Sequence, residues 1–245
     1  DFCGSSDSAS KLVNQEIFGN TELFDTPKPL ELLNYFINIT TDENDIILDF
    51  FSGSGTTAHA VMDLNTQDNG NRKFICVQWA ENTPGKSEAK KAGYETIFDI
   101  TKARIDKAGE QIGKGDIGFR TFEIVEDQKQ KIYQKSLEDV SQEDLLVMME
   151  KPDISSNEEI LYNLFVAEAL PLSTKHEELI KDKLYLASNV AFILGDITSD
   201  ELIEALKDKK ECEYITVYSP NISNDKFTLE IESNISKLGI KSDKL

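Results

Sequence analysis

Residues 45–57 read DIILDFFSGSGTT, and this stretch decides how the first half of the chain is expected to fold. The run Asp45–Phe50 is apolar, too short for a helix and bounded by turn residues, which predicts a strand buried on both faces. Gly53 and Gly55 follow at once. A glycine pair at the end of a parallel strand lets the backbone turn sharply, and the next helix presents free N–H groups. The stretch therefore predicts a ligand loop.

The residues after this loop extend the pattern into a βαβ unit. Residues 58–65 have a helical pattern, Asn69–Asn71 is typical of a turn, and Lys73–Gln78 is a second apolar run. The order strand, glycine turn, helix, turn, strand predicts a parallel pair with a right-handed crossover.

The flanking segments predict further elements of the first half. Residues 1–23 are rich in Ser, Asp and Asn and predict an irregular lead-in. Thr26 is a favourable N-cap with a proline after it, so we expect a helix from about Pro27 to just before Thr40. Downstream we expect a mobile loop over 80–93, a helix over 94–112 and a strand over 117–125.

The character of the sequence changes near residue 126, so we divide the chain into 1–125 and 126–245. The second part predicts a small α/β domain, and the stripe Leu161, Leu164, Phe165 and Ala169 predicts core. Its expected elements are helices at 141–149, 157–170 and 198–206, two strands within 183–194 and a strand at 213–218.

Composition excludes several classes of function. The 245 residues carry 26 Lys+Arg against 45 Asp+Glu, a formal charge of −19, which makes a poor non-specific clamp for nucleic acid. Three scattered cysteines and two histidines predict neither a disulfide scaffold nor a metal site. No apolar run suits a membrane helix, and no signal peptide is recognisable, so we expect a soluble, cytoplasmic protein. A start at Asp1 rather than Met suggests a piece of something longer.

The glycine loop alone leaves two ligand classes open. Residues 53–58 fit the G-x-G-x-x-G/A pattern of dinucleotide-binding loops. An NAD enzyme, however, places Asp or Glu at the end of the second strand, and here Gln78 stands there with Trp79 beside it. An NAD(P)-binding enzyme therefore stays the weaker alternative.

The residues around the glycines distinguish between the two ligand classes. Residues 49–57 resemble the S-adenosylmethionine (SAM) loop D-x-F-x-G-S-G-T-T of the β-class amino-methyltransferases. Residues 24–29, FDTPKP, resemble the element before that loop, and residues 65–78 resemble the second strand of that class. Together they most resemble the modification (methylation) subunit of type III restriction–modification systems, an adenine-specific DNA methyltransferase. The resemblance covers residues 12–125 and implies part of a Rossmann-like SAM-dependent methyltransferase sheet, followed by a second, smaller α/β domain.

This resemblance implies that SAM binds here as the methyl donor. Its methionine end would be lined by Phe24, Thr26, Pro27 and Lys28. Asp49 would bind near its amino group.

The rest of the implied site surrounds the nucleoside. Phe50 and Phe51 would wall the cleft, Gln78 would bind the ribose hydroxyls in place of the family's more usual acid, and Trp79 would flank the adenine. The loop would wrap the ligand through Gly53, Ser54, Gly55, Thr56 and Thr57.

One expected motif is absent from the printed sequence. Amino-methyltransferases hold the target nitrogen with Asp/Asn-Pro-Pro-aromatic, and none of the six prolines here is adjacent to another. No catalytic residue is therefore assigned in this chain. In the β class this motif and the target-recognition domain precede the SAM loop, so both would lie before Asp1.

The resemblance also implies partners. Double-stranded DNA would bind through the missing N-terminal part, the restriction (nuclease) subunit would associate, and the full-length protein would form a homodimer. Residues 1–125 would be the C-terminal half of the methyltransferase domain and residues 126–245 an interaction domain. The alternative is a non-catalytic fragment that docks the nuclease subunit.

Overall fold

The computed structural model describes residues 3–19, 22–125, 132–136, 139–149, 156–223 and 230–231. The chain divides into two compact units, Asp1–Ile124 and Val125–Leu245, each with its own hydrophobic core. None of the described helices is long and apolar enough to cross a bilayer.

The first unit alternates helices with two short strands. Its elements in order are α1 (Ser6–Ser10), a π-helix (Lys11–Ile17), α2 (Leu30–Thr40), β1 (Ile46–Asp49), α3 (Thr56–Asp68), β2 (Lys73–Cys76), α4 (Glu88–Lys91) and α5 (Ile97–Ile112). Strands β1 and β2 pair in parallel, with Ile46 opposite Lys73 and Asp49 opposite Cys76. The structure is thus mixed α/β, and the expected order of strand, glycine turn, helix and strand is present.

Helix α3 is the centre of this unit. Its Ala60, Val61 and Leu64 pack with Ile37 of α2, and its Ala58 and Met62 pack with Ile105 and Ala108 of α5 in two separate clusters. Both clusters contact half-buried residues of the sheet, such as Phe74. The helices therefore cover one face of the strand pair.

The prediction that β1 is buried on both faces is wrong. Ile46 and Leu48 are 62% and 48% exposed, and Ile75 of β2 is 51% exposed, whereas Ile47 and Phe74 are half-buried. The reason is that α2, α3 and α5 all pack on the Ile47 side, while none of the described elements packs on the other face of the pair.

Two predictions near the N-terminus are also wrong. Residues 1–23 contain α1 and the π-helix because a capping box between Ser5 and Ser8 starts the first turn, and Val13 and Ile17 are buried. Helix α2 begins at Leu30 rather than near Pro27. A residue before proline is disfavoured in helical conformation, so Pro29 keeps Lys28 extended, and Thr26 does not cap the helix.

Downstream of β2 the structure departs from the prediction at two places. Within 80–93, α4 forms, and Asn82 bridges Thr96, so this segment is not only a loop. Residues 117–125 form no strand, because no strand among the described residues pairs with them. The predicted helix over 94–112 begins at Ile97, where Thr96 and Asp99 make a capping box.

The second unit is built on a four-stranded sheet. Its helices are α6 (Gln142–Met149), α7 (Asn157–Ala167) and α8 (Ser199–Leu206), and its strands are β3 (His176–Ile180), β4 (Leu184–Ala187), β5 (Val190–Ile193) and β6 (Tyr214–Val217). The order is β3-β4-β5-β6, antiparallel except for the parallel β5–β6 pair.

The core of the second unit lies on both faces of this sheet. One cluster joins Leu184 and Ile193 to Leu202 of α8, and the other joins Phe192 to Leu161 and Phe165 of α7. The predicted core role is confirmed for Leu161, Leu164 and Phe165, but Ala169 is exposed, because α7 ends at Ala167 and Ala169 has a left-handed φ of 55°. The sequence did not predict β3, and residues 126–131, where the character of the sequence changes, lie outside the described residues.

Candidate functional site

The loop between β1 and α3 turns at two glycines in left-handed conformation. Gly53 has φ 52° and Gly55 has φ 79°. A Cβ at Gly55 would lie 2.9 Å from Ile105 Cγ1 of α5. Any other residue at position 55 would therefore be strained and would also displace the helix behind the loop.

The Asp49 carboxylate ties the end of β1 to the first turn of α3. Thr57 Oγ1 donates to Asp49 Oδ2 at 2.5 Å, and the Phe51 amide donates to Asp49 Oδ1 at 3.1 Å. A carboxylate beside a helix N-terminus is also favoured by the helix dipole. Asp49 is thus held in a fixed position at the edge of the loop.

The N-terminus of α3 has no cap. Gly55 occupies the cap position and has no side chain, and no side chain in the described part of the chain caps the helix. The first amides of a helix need partners from a cap, from water or from a ligand. The Ala58 amide bonds the Cys76 thiol, whereas the amides of Thr56 and Thr57 have no acceptor among the described residues and suit a negatively charged or oxygen-rich group.

Gln78 connects the end of β2 to the loop. Its Oε1 accepts a hydrogen bond from the Gly53 amide at 2.7 Å, and its Nε2 donates to the Trp79 carbonyl at 3.1 Å. Both ends of the side-chain amide are therefore engaged within the protein, and the predicted ribose contact would need one of these bonds to be shared or exchanged.

Three aromatic side chains beside the loop are open to solvent. Phe50, Phe51 and Trp79 are 64%, 90% and 83% exposed. Large exposed aromatic side chains are uncommon unless they meet a ligand or partner. They follow the ends of β1 and β2, and their predicted role as walls of a cleft stays a prediction.

The segment Phe24–Lys28 lies against the loop. The Lys28 carbonyl accepts a hydrogen bond from Thr56 Oγ1 at 3.4 Å, and a Cβ at Gly53 would be 3.5 Å from Phe24 Cζ. Pro27 is buried, whereas Thr26 and Lys28 are exposed. The structure thus brings the predicted residues before β1 together with those after it.

Ser54 and Thr56 point inward rather than toward solvent. Both are buried, and their hydroxyls lie 3.3 Å apart. Arg104 Nη1 donates to Ser54 Oγ at 2.9 Å, to the Ser54 carbonyl at 3.2 Å and to Thr56 Oγ1 at 2.6 Å. Any contact of these two residues with a ligand would therefore come from their main chain.

Two residues that hold the site, Asn14 and Arg104, were not predicted from the sequence. Asn14 of the π-helix accepts from the amides of Leu23 and Phe24 at 3.0 and 3.2 Å and donates to the Phe24 carbonyl at 3.1 Å, so it fixes the segment before β1. No pattern in the Ser- and Asn-rich lead-in indicates that role. The sequence does indicate that Arg104 is buried, because it lies four residues from both Ile100 and Ala108 on the apolar side of α5.

Burial sets the charges of the groups around the loop. Burial, and then the charge of Arg104, lowers the pKa of His59 to about 4, so this histidine is neutral at pH 7. Burial lowers the pKa of Arg104 to about 10, and the guanidinium keeps its charge. Burial, and then the charge of Asp49, raises the pKa of Cys76 to about 12, so the thiol is not a nucleophile.

Among the described residues, no three His, Cys, Asp or Glu side chains are grouped closely enough to hold an ion.

Comparison with known proteins shows which family the first part of the chain is similar to. Residues 5–95 match the family model described as DNA methylase. The chain is 42% identical over 113 residues to the type III restriction–modification enzyme StyLTI Mod subunit of Salmonella typhimurium. The aligned stretch is 44% of this chain and 17% of that protein. The EcoP15I Mod subunit of Escherichia coli is 41% identical over 111 residues, or 45% of this chain and 17% of the relative.

A relative from a second type of system matches a stretch of similar length. The type II methyltransferase M.KpnI of Klebsiella pneumoniae is 38% identical over 110 residues, which is 45% of this chain and 26% of that protein. The chain therefore spans about a sixth of the length of the Mod subunits it matches. These matches confirm the resemblance: residues 5–95 are similar to a DNA methylase domain, and a stretch of about 110 residues is similar to type III modification subunits.

Proposed function

We propose that the chain is the SAM-binding part of a DNA methyltransferase that modifies the N6 atom of adenine in a type III restriction–modification system. The observation that carries the proposal is the buried, uncapped N-terminus of α3 behind the turn at Gly53 and Gly55. The Mod subunit names of the relatives supply the class of reaction and its setting.

The residues present fit SAM at both of its ends. The unpartnered amides of Thr56 and Thr57 suit the carboxylate of the methionine end, and the Asp49 carboxylate suits its ammonium group. The exposed ring of Trp79 suits the flat adenine, since aromatic side chains stack on base faces.

In this proposal the chain's own residues hold the donor and do not move a proton. SAM supplies a methyl group on a sulfonium: the bond from sulfur to carbon breaks as the bond from N6 to carbon forms, and N6 then loses a proton to solvent. The adenine must be flipped out of the duplex to bring N6 in line with the methyl carbon. Fixing Asp49 and the loop before binding serves this alignment, because in-line transfer depends mainly on positioning.

The test is calorimetry of SAM and S-adenosylhomocysteine on the protein in the full length that its gene encodes. We expect Asp49→Ala combined with Gly55→Val to reduce binding at least a hundredfold. Asp106→Ala combined with Gly115→Val is the matched control, since Asp106 is exposed and Gly115 has the same φ of 79° with nothing near its Cβ. Undiminished binding by the first pair would contradict the proposal.

A second candidate function is a non-catalytic interaction role, which the lack of adjacent prolines in this sequence favours. Residues 126–245 would then dock the nuclease subunit or a second copy in a homodimer. Methyl transfer to DNA by residues 1–245 alone would exclude it. Titration of the single tryptophan, Trp79, with SAM and with NADH would test the remaining NAD(P) alternative.

A further inference from the structure

Arg104 is a buried cation without a carboxylate partner. Its side chain is 0% exposed, and no Asp or Glu in the described part of the chain forms an ion pair with it. Its Nε finds no hydrogen-bond acceptor. Burying a charge is costly unless the charge is paired, so an unneutralised guanidinium needs a reason to be kept in the core.

All of its short hydrogen bonds go to the ligand loop and the start of α3. Nη1 binds the carbonyl and hydroxyl of Ser54 and the hydroxyl of Thr56. The other contact, from Nη2 to His59 Nδ1 at 3.5 Å, reaches one turn further along α3, to a histidine that is neutral at pH 7. The guanidinium therefore fixes the loop from behind and places a positive charge that has no ion-pair partner among the described residues beside the start of α3.

The charge of Arg104 adds to the positive end of the α3 dipole. The uncapped amides of Thr56 and Thr57 already carry partial positive charge. The Asp49 carboxylate is hydrogen-bonded to Thr57 and the Phe51 amide, where the proposed function assigns it to the ammonium group of SAM. An anionic ligand group at this helix end would meet a positive potential in surroundings of low dielectric constant, where such potentials are strongest.

We propose that Arg104 is a positioning residue of the SAM loop, which locks Ser54 and Thr56 from behind and whose unneutralised charge makes the α3 end selective for the carboxylate of the cofactor. This inference rests on the proposed function and adds a residue outside the stretch 5–95 that the family model matches. A purely structural arginine would stabilise the loop equally for any ligand. A charge that acts on the carboxylate distinguishes ligands that carry one from ligands that do not.

The experiment compares the affinities of SAM and decarboxylated SAM, which differ only in the carboxylate, for the full-length protein and three variants. Arg104→Lys keeps the charge and loses the fork of donors, whereas Arg104→Gln loses the charge and keeps a donor. Lys107→Gln is the matched control, because Lys107 is an exposed cation on the same helix. Circular dichroism melting of each variant reports folding.

We expect the wild type to prefer SAM and Lys107→Gln to retain that preference within twofold. Arg104→Gln should reduce the preference about tenfold, mainly by weakening SAM binding. Arg104→Lys should weaken both ligands by similar factors and keep the preference. If Arg104→Gln does not fold, Arg104→Lys still tests the electrostatic role. Loss of the preference for SAM over decarboxylated SAM in that variant, which keeps the positive charge, would contradict the role.

Two results would overturn the inference. Equal loss of both ligands in Arg104→Gln would make Arg104 structural only, and unchanged binding in that variant would remove its role altogether. A wild-type protein that binds neither ligand would instead overturn the proposed function itself, so the two failures are distinguishable.

Discussion

The two units satisfy the rules of local structure to different degrees. In the second unit, β4 and β5 are buried along their whole lengths, and α7 and α8 each start at a complete capping box. In the first unit, β1 and β2 expose alternate side chains, and α3 starts without any cap. Proteins break local rules mainly at functional sites. The difference supports the ligand site that we propose in the first unit, whereas the second unit has a well-formed core.

The largest expected effect concerns the core of the second unit. Phe165 is fully buried between α7 and the sheet, so Phe165→Ala should lower the free energy of unfolding by about 3–5 kcal/mol. Ile75→Ala on the open face of the first unit should change it by no more than about 0.5 kcal/mol. Urea unfolding measures both. Equal losses would show that the two sheets are equally buried.

The next effect is the pH dependence that His59 confers on the first unit. Its pKa falls from 6.5 to about 4 on folding because of burial and the charge of Arg104, so between these values the unfolded chain binds the extra proton. The contribution of His59 to the free energy of unfolding is fully present above pH 6.5 and is lost as the pH falls toward 4. The total loss is about 3 kcal/mol.

His59→Gln is the variant that isolates this contribution. Urea midpoints at pH 7 and pH 4.5 should differ less in the variant than in the wild type. An identical pH dependence in the two proteins would show that His59 is not the group responsible.

A smaller effect follows from the close approach at the loop. Gly55→Ala combines an unfavourable left-handed φ with a Cβ only 2.9 Å from Ile105, and should cost about 2 kcal/mol. Gly115→Ala shares the φ of 79° but meets nothing, so its cost should be about 1 kcal/mol. Thermal unfolding compares them, and equal losses would mean that α5 yields to the added methyl group.

The smallest effect tests the caps of the second unit. Thr198 Oγ1 accepts from the Glu201 amide at 3.2 Å at the start of α8, and Thr198→Ala should lower stability by about 1 kcal/mol. Thr198→Ser keeps the hydroxyl and should lose only a few tenths. Chemical denaturation measures the stability of both variants. Equal stability of the alanine and serine variants would contradict the account.

The sequence predicted those features that depend on local chemistry. The glycines at 53 and 55 and the apolar runs around them gave the order of β1, α3 and β2, and the helical patterns at 157–170 and 198–206 predicted α7 and α8. These signals are strong because φ above zero and capping hydrogen bonds each require a narrow set of residues.

The remainder depends on contacts that are distant in the chain. Whether Ile46 is buried is decided by which helices pack on the sheet, and residues 117–125 alternate like a strand yet have no strand to pair with. Asn14 and Arg104 act on segments 10 and 50 residues away, so their roles follow from the tertiary structure. The roles assigned to the site residues and to the two parts of the chain stay predictions.

Heteronuclear NMR of the Thr56 and Thr57 amides, as SAM is added to the full-length protein, tests the main hypothesis at the atoms it names. We predict that these two signals shift with saturation and become protected from solvent exchange, whereas the signals of the capped amides at the start of α8 do not shift. Saturable SAM binding that leaves the signals of Thr56 and Thr57 unchanged would contradict the assignment of the open helix end as the cofactor site.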